Sequence, residues 1–90
     1  MADYIYKPEK NFITNLELNN FEIESLNSEI SSVIFDFSNV KYITSNGVAK
    51  IINTQNILKE RGIKFKIINA DEHIKYTFTI LNLSEIISID

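Results

Sequence analysis

The chain lacks cysteine altogether and has a single histidine, His73, among its 90 residues. Without cysteine it forms no disulfide and no thiolate metal site, and one histidine excludes a two-histidine metal centre within the chain. No apolar run approaches the roughly 18 residues that a membrane-spanning helix needs. The N-terminal stretch MADYIYKPEK lacks the apolar core of a signal peptide. We therefore expect a soluble cytoplasmic domain without a metal or cofactor.

Basic charge is also scarce, with nine Lys and Arg against twelve Asp and Glu, which gives a net charge of −3. The basic residues are scattered along the sequence, so no concentrated face is predicted for the phosphate backbone of a nucleic acid. Isoleucine is abundant, with 17 residues, and the hydrophobic fraction is 44%. This composition suits one hydrophobic core, and the length suits a single domain over residues 1–90.

Segments with strand-like and helix-like periods follow one another along the chain. Alternation or short β-branched runs predict strands in DYIYKP, KNFITNL, SSVIFDF, IKFKIIN and EIISID. Helical spacing of apolar residues predicts helices in LNNFEIESLNSEI, SNGVAKIINTQNILKE and ADEHIKYTFTILNL. Arg61-Gly62 follows the second of these and provides a left-handed C-terminal residue. In the third helix, we expect a buried stripe of Ile74, Phe78 and Leu81.

The predicted order, β-β-α-β-α-β-α-β, indicates an α/β fold. Strands that alternate with helices form right-handed βαβ units, so the centre of the sheet should be parallel. The first two strands are separated by a short turn and are expected to form an antiparallel pair at the N-terminal edge. The sequence thus predicts a mixed sheet with about three helices.

The stretch YITSNGVAK, at residues 42–50, is the best candidate for a functional loop. Asn46-Gly47 is a strong hairpin signal between two strands, but here a helix follows, so a hairpin is not expected. Ser45 is the natural N-cap of that helix, with Thr44 as the alternative. Gly47 leaves room for a close backbone approach. A loop that joins a parallel strand to a helix N-terminus is a common place for sites in α/β proteins.

The side chains of this loop offer little catalytic chemistry. No histidine, lysine dyad or carboxylate accompanies Ser45, so we predict no catalytic residues and no enzyme. What remains is recognition, or a hydroxyl that another enzyme modifies; a phosphate there would add about −1.5 to −2 charge. The simpler alternative is that Ser45 only caps the helix. Elsewhere, we expect Asp36 to cap a turn or brace the loop, Tyr42 to lie in an interface or in the core, and His73 to lie at the surface.

An ordered set of residues from Phe12 to Ile89 resembles the STAS domain, named for sulfate transporters and anti-sigma factor antagonists. The family pattern is a hydrophobic strand ending in Asp, then D-S-S-G or D-S-T-G opening a helix, then R-G, then G-L before a short final strand. The matching residues here are Val33-Ile34-Phe35-Asp36, Ser45, Gly47, Arg61-Gly62 and Leu83. The resemblance implies a STAS-like fold, with helices mainly on one face of a mixed sheet.

In the bacterial antagonists of this family, the serine just before the motif's glycine is phosphorylated by a cognate anti-sigma kinase. Phosphorylation ends binding to that kinase, and a phosphatase restores it. Here that position is Asn46 and the motif's Asp is Thr44, while a second acidic position falls on Asn19 and the family's Glu is kept as Glu17. The usual phosphoacceptor is therefore lost.

The resemblance implies a regulatory module that controls transcription by partner switching. Its partner would be an anti-sigma factor or serine kinase of the ATPase-kinase fold, with a phosphatase as a second partner. The predicted binding residues are Thr44, Ser45, Asn46, Gly47 and Lys50. The departures leave three alternatives open: phosphorylation at Ser45 or Thr44, assembly outside sigma-factor control (for example with a transporter ATPase), or anion binding at the same helix N-terminus. We expect a monomer or a weak dimer.

Overall fold

The computed structural model describes residues 2–14, 18 and 29–90. Six strands and two helices lie within these ranges. They are β1 (Ala2–Tyr6), β2 (Phe12–Ile13), β3 (Ile30–Asp36), β4 (Tyr42–Ile43), α1 (Ser45–Glu60), β5 (Lys64–Ile68), α2 (Glu72–Ile80) and β6 (Ser88–Ile89). Most of the predicted first helix falls on residues 19–28, outside the described ranges. Of its two ends, Leu18 is buried in the core, whereas Ile30 already belongs to β3.

The strands form two parallel sheets. A four-stranded sheet has the order β1-β3-β5-β6, and a two-stranded sheet joins β2 to β4. All four described pairings are parallel, as predicted for the centre of the sheet. The antiparallel N-terminal edge was a wrong prediction, because β1 pairs with β3 and β2 pairs with β4.

The reason for this correction lies in contacts that are distant in sequence. Tyr6 at the end of β1 packs edge-on against Phe35 of β3, with ring centroids 5.4 Å apart. The carbonyl oxygen of Asn11 accepts hydrogen bonds from the main-chain N–H groups of Lys41 and Tyr42, at 2.8 and 3.0 Å, which places β2 beside β4. Alternation of side chains is the same in parallel and antiparallel pairs, so the sequence pattern could not distinguish the two directions.

The four-stranded sheet has one face packed on the core and one open face. Tyr4, Val33 and Phe65 lie opposite one another on the core face, and so do Tyr6, Phe35 and Ile67 one step further along. Because side chains alternate along a strand, the intervening residues lie on the other side. This open face consists of Asp3, Ile5, Ser32, Ile34, Lys64, Lys66 and Ser88.

Both described helices pack on the core face. α1 buries Val48, Ile51 and Leu58, and α2 buries Ile74 and Phe78, in one cluster with the strands. Neither of these two helices is long and apolar enough to cross a membrane. The two helices therefore hold the sheet, and the loop before α1, in one hydrophobic unit.

Both helices end in the same left-handed arrangement. Gly62 (φ 73°) follows α1 as predicted, and the N–H of Ile63 returns to the carbonyl of Leu58 at 2.9 Å, which is a Schellman motif. After α2, Asn82 (φ 59°) has the same role. The chain reverses there, so Leu83 is buried and Leu81, predicted to be buried, is 51% exposed.

Candidate functional site

The loop between β4 and α1 is organised by Thr44. Its hydroxyl oxygen accepts a hydrogen bond from the N–H of Gly47 at 3.0 Å, and its carbonyl accepts from Val48 at 2.9 Å. Thr44 has extended backbone angles (φ −81°, ψ 165°), so it is the N-cap of α1. The prediction that Ser45 is the cap was wrong, and the alternative, Thr44, is correct. Ser45 is instead the first residue of the helix.

Position 47 requires glycine because there is no room for a side chain, and not because the backbone has a positive φ. A Cβ atom built on Gly47 would lie 2.8 Å from Cγ1 of Ile43 and 3.1 Å from the carbonyl oxygen of Ile13. Its φ is not positive, unlike that of Gly62. The predicted close approach at Gly47 is therefore made by Ile13 of β2 and Ile43 of β4, which lie beneath the first turn of α1.

Strand β2 fixes the position of the loop. Ile13 pairs with Ile43, and its carbonyl oxygen accepts a hydrogen bond from the N–H of Thr44 at 2.9 Å. The loop is thus attached on one side to a strand that is distant in sequence. On the other side it continues directly into α1, so both of its ends are held.

Ser45 and Asn46 are exposed in the first turn of α1, whereas Gly47 is buried and both Thr44 and Lys50 are half-buried. The N–H groups of Ser45 and Asn46 precede the point at which intrahelical hydrogen bonds begin, so the positive end of the helix faces the same surface. The first turn carries no acidic residue. Of the two candidate phosphoacceptors, Ser45 has the accessible hydroxyl and Thr44 has one that is engaged in capping.

An aromatic patch, consisting of Phe12, Tyr42 and His73, lies immediately before this loop. Phe12 and Tyr42 are opposite one another in the β2–β4 pair, and they are 52% and 58% exposed. The rings of Tyr42 and His73 meet edge to face, with centroids 5.8 Å apart. Tyr42 was predicted to lie either in an interface or in the core, and the structure places it at the surface. His73 is exposed, as expected. Phe12 was missed as a site residue, because nothing in the sequence shows that β2 pairs with β4.

Asp71 joins the start of α2 to the segment before the loop. It is the N-cap of α2 and accepts a hydrogen bond from the N–H of His73 at 2.9 Å; its carboxylate also lies 3.5 Å from Nζ of Lys41. The hydrogen bond from His73 is the main cause that lowers the pKa of Asp71, and Lys41 adds to it. This carboxylate holds the His73 end of the aromatic patch against β4.

Asp36 caps a turn and has no described contact with the 44–47 loop. One of its carboxylate oxygens accepts from the N–H of Ser38 at 3.0 Å and from the side-chain amide of Asn69 at 3.2 Å. Burial acts to raise the pKa of Asp36, but these hydrogen bonds outweigh it and leave the pKa below its ordinary value. Of the two predicted roles, the structure supports the turn. Glu17 and Asn19, which occupy positions that are acidic in the family pattern, lie outside the described residues.

Two grooves, each of about 460 Å³, are lined entirely by described residues, and both lie away from the loop. One is on the open face of the sheet around Ile34, Lys64 and Lys66. The other is near the C-terminal end of α1, around Gln55, Lys59 and Glu85. Neither of these two grooves includes a residue of the 44–47 loop.

Comparison with known proteins gives a family. The model of the STAS domain matches residues 6–90, which include the 44–47 loop and both described helices. No curated protein matches the chain. No solved structure matches it either. The match spans most of the chain, and the parallel sheet with its two described helices agrees with it, so this chain belongs to the STAS domain family.

Proposed function

We propose that this STAS domain is a regulatory module of the antagonist type, which binds a protein partner through the 44–47 loop, the start of α1 and the aromatic patch. Membership of the STAS family supports a general regulatory or protein-interaction role. The observation that carries the proposal is the exposure of Phe12 and Tyr42 next to the loop. Large aromatic side chains are enriched in protein interfaces, and here two of them lie beside the position of the family's switch residue.

The partner that fits this proposal is an anti-sigma factor or serine kinase of the ATPase-kinase fold. Asn46 occupies the position of the family's phosphoacceptor and is exposed in the first turn of α1. An amide is uncharged, so it resembles the unphosphorylated serine that binds the kinase, and it cannot accept a phosphate. We therefore infer a binding state that the usual phosphorylation does not interrupt.

Modification of Ser45 would provide a different switch at the same surface. Its hydroxyl is exposed one residue from Asn46, whereas the hydroxyl of Thr44 caps the helix. A phosphate on Ser45 would lie at the positive end of α1, where the fold tolerates it, and would add about −1.5 to −2 charge to the contact surface. Ser45 is thus the better of the two candidate phosphoacceptors.

We assign no catalytic role to the site. Two of the described carboxylates, Asp36 and Asp71, accept hydrogen bonds from the main-chain N–H groups of Ser38 and His73 and act as caps. Ser45 has no described base beside it, and general base catalysis requires one within hydrogen-bond reach. Partner recognition is the function that these side chains support.

The proposal is tested by measuring the binding of the wild-type protein to anti-sigma kinases encoded near its gene, by calorimetry. The Asn46→Asp variant places a negative charge where the family has phosphoserine, and we expect it to weaken binding by at least about tenfold. Asn56→Asp is the matched control: it makes the same change at an exposed position on another face of α1. Equal binding by Asn46→Asp and wild type would show that Asn46 is not in the interface.

A kinase assay tests the switching part separately. We expect the Asn46→Ser variant to gain phosphate at residue 46 when incubated with the partner kinase and ATP, while the wild-type protein gains none there. Mass spectrometry locates the modified residue. Phosphate on Ser45 of the wild-type protein would contradict uninterrupted binding and would identify the replacement switch.

A further inference from the structure

The open face of the four-stranded sheet has a groove next to an exposed apolar ridge. The groove has a volume of about 460 Å³, and Ile34, only 8% exposed, lies at its floor. Ile5 on the adjacent strand β1 is 61% exposed and does not line the groove. The exposed Ile5 and the groove beside it form an uneven surface, which a second molecule of complementary shape can cover.

Opposite charges lie on the two sides of this face. Asp3 is on β1 and Lys64 is on β5, with Ser32 of β3 between them in the same row. The hydroxyl of Ser32 donates to the carboxylate of Asp3 and so orients it. Neighbouring strands are about 4.8 Å apart, so the two charged side chains begin roughly 10 Å from one another, across the groove. One side of the face is therefore negative and the other positive.

This arrangement is self-complementary under a two-fold rotation. An axis along β3 places β1 of one copy over β5 of a second copy, and β5 of the first over β1 of the second. Asp3 then faces Lys64 of the second copy, and the same contact occurs a second time by symmetry. Ile5 of each copy then lies over Lys66 of the other, in the row that also holds Ile34, and both Ile34 and Lys66 line the groove.

We propose that the open face is a surface through which two copies of this chain associate. Charge fits a second copy, because the exposed Ile5 and the negative Asp3 lie on β1, whereas the positive Lys64 and Lys66 lie on β5. The surface spans four strands of five or fewer paired residues, so its area is a few hundred Å², below the roughly 800 Å² per partner of a standard interface. The dimer is therefore weak and depends on concentration.

Charge exchange tests the two-fold contact. Sedimentation equilibrium of the full chain from about 10 μM to about 1 mM should show a shift from monomer to dimer. Asp3→Lys and Lys64→Asp each place like charges together twice, and we expect each to weaken the dimer by about tenfold or more. An equimolar mixture of the two variants restores both opposite-charge contacts, so it should associate as well as the wild type. A mixture that associates no better than the separate variants would overturn the proposal.

A matched pair of variants tests the apolar ridge. Ile5→Glu places a charge on the ridge, and Ile80→Glu makes the same change at a position of similar exposure on α2, 58% against 61%. We expect Ile5→Glu to abolish the dimer and Ile80→Glu to leave it unchanged, with circular dichroism confirming that both variants fold. Equal effects of the two variants would overturn the proposal. So would a wild-type protein that stays monomeric at the highest concentration.

Discussion

The carbonyl oxygen of Ile13 lies only 3.1 Å from the position that a Cβ atom of residue 47 would occupy. Strand β2 can therefore approach the first turn of α1 this closely because Gly47 has no side chain. The same oxygen accepts the hydrogen bond from the N–H of Thr44. One carbonyl group therefore fixes both the beginning of the loop and the helix that follows it. The predictions below depend on this attachment and on the surface that it holds in place.

Replacing Gly47 by alanine should destabilise the protein. Crowding costs about 1–3 kcal/mol, whereas removing a glycine from a helix gains about 1 kcal/mol, so we expect a net loss of up to about 2 kcal/mol. Urea unfolding measures the difference. Asn46→Ala is the control, since it raises helix propensity at the neighbouring exposed position without a clash. A Gly47→Ala variant that is as stable as Asn46→Ala would show that Ile13 and Ile43 move aside at no cost.

Removing the hydroxyl of Thr44 should cost more stability than removing that of Ser45. Thr44→Ala leaves the N–H of Gly47 without its cap acceptor, and loss of an N-cap costs about 1 kcal/mol. Thr44→Ser keeps the acceptor and should lose much less. Ser45→Ala should leave the free energy of unfolding within about 0.5 kcal/mol of wild type, because its side chain is exposed. Thermal unfolding of the three variants provides the comparison, and a larger loss for Ser45→Ala would place the cap at Ser45 after all.

Truncation of the aromatic patch should weaken partner binding while leaving stability nearly intact. Phe12 and Tyr42 are exposed, so Phe12→Ala and Tyr42→Ala remove contact area that a partner would cover and little that the core uses. We expect each to weaken binding by about fivefold or more, since aromatic anchors often contribute over 1 kcal/mol. Leu81→Ala is the control, because Leu81 is 51% exposed at the far end of α2. Unchanged affinity of both aromatic variants would move the interface elsewhere.

The protein should lose stability in acid through Asp36 and Asp71, whose pKa values are below the ordinary value in the folded state. A carboxyl group with a lowered folded pKa stabilises the fold above its unfolded pKa, and this contribution disappears as pH falls through the folded pKa. We therefore expect the free energy of unfolding to fall below about pH 4. The fall should be shallower in Asp36→Asn and shallower still when Asp71→Asn is added. Urea unfolding between about pH 5 and pH 2.5 checks this, and parallel curves for all three proteins would contradict it.

Local pattern predicted those features that depend on residues close in sequence. The period of α1, its left-handed end at Gly62 and the strand in SSVIFDF all follow from spacing over a few residues, and the structure confirms them. The errors concern contacts between distant segments. The alternation of apolar and polar residues along a strand shows neither the parallel pairing of β1 with β3 nor the position of Phe12 beside Tyr42. The N-cap is Thr44 and not Ser45, and the N–H of Thr44 also donates to the carbonyl of Ile13, a contact distant in sequence that local pattern does not show.

The strand order has a consequence for how the chain folds. Tyr4 pairs with Val33, 29 residues away, and Val33 with Phe65, 32 residues away, so among the described strands no sheet contact is local. Loop closure must precede each pairing, and chains with such distant contacts cross their folding barrier slowly. Local structure in α1 and α2 forms faster than any of these pairings. We therefore expect the helices to organise the transition state, with β1 docking only after the segment that carries β3 has collapsed onto them.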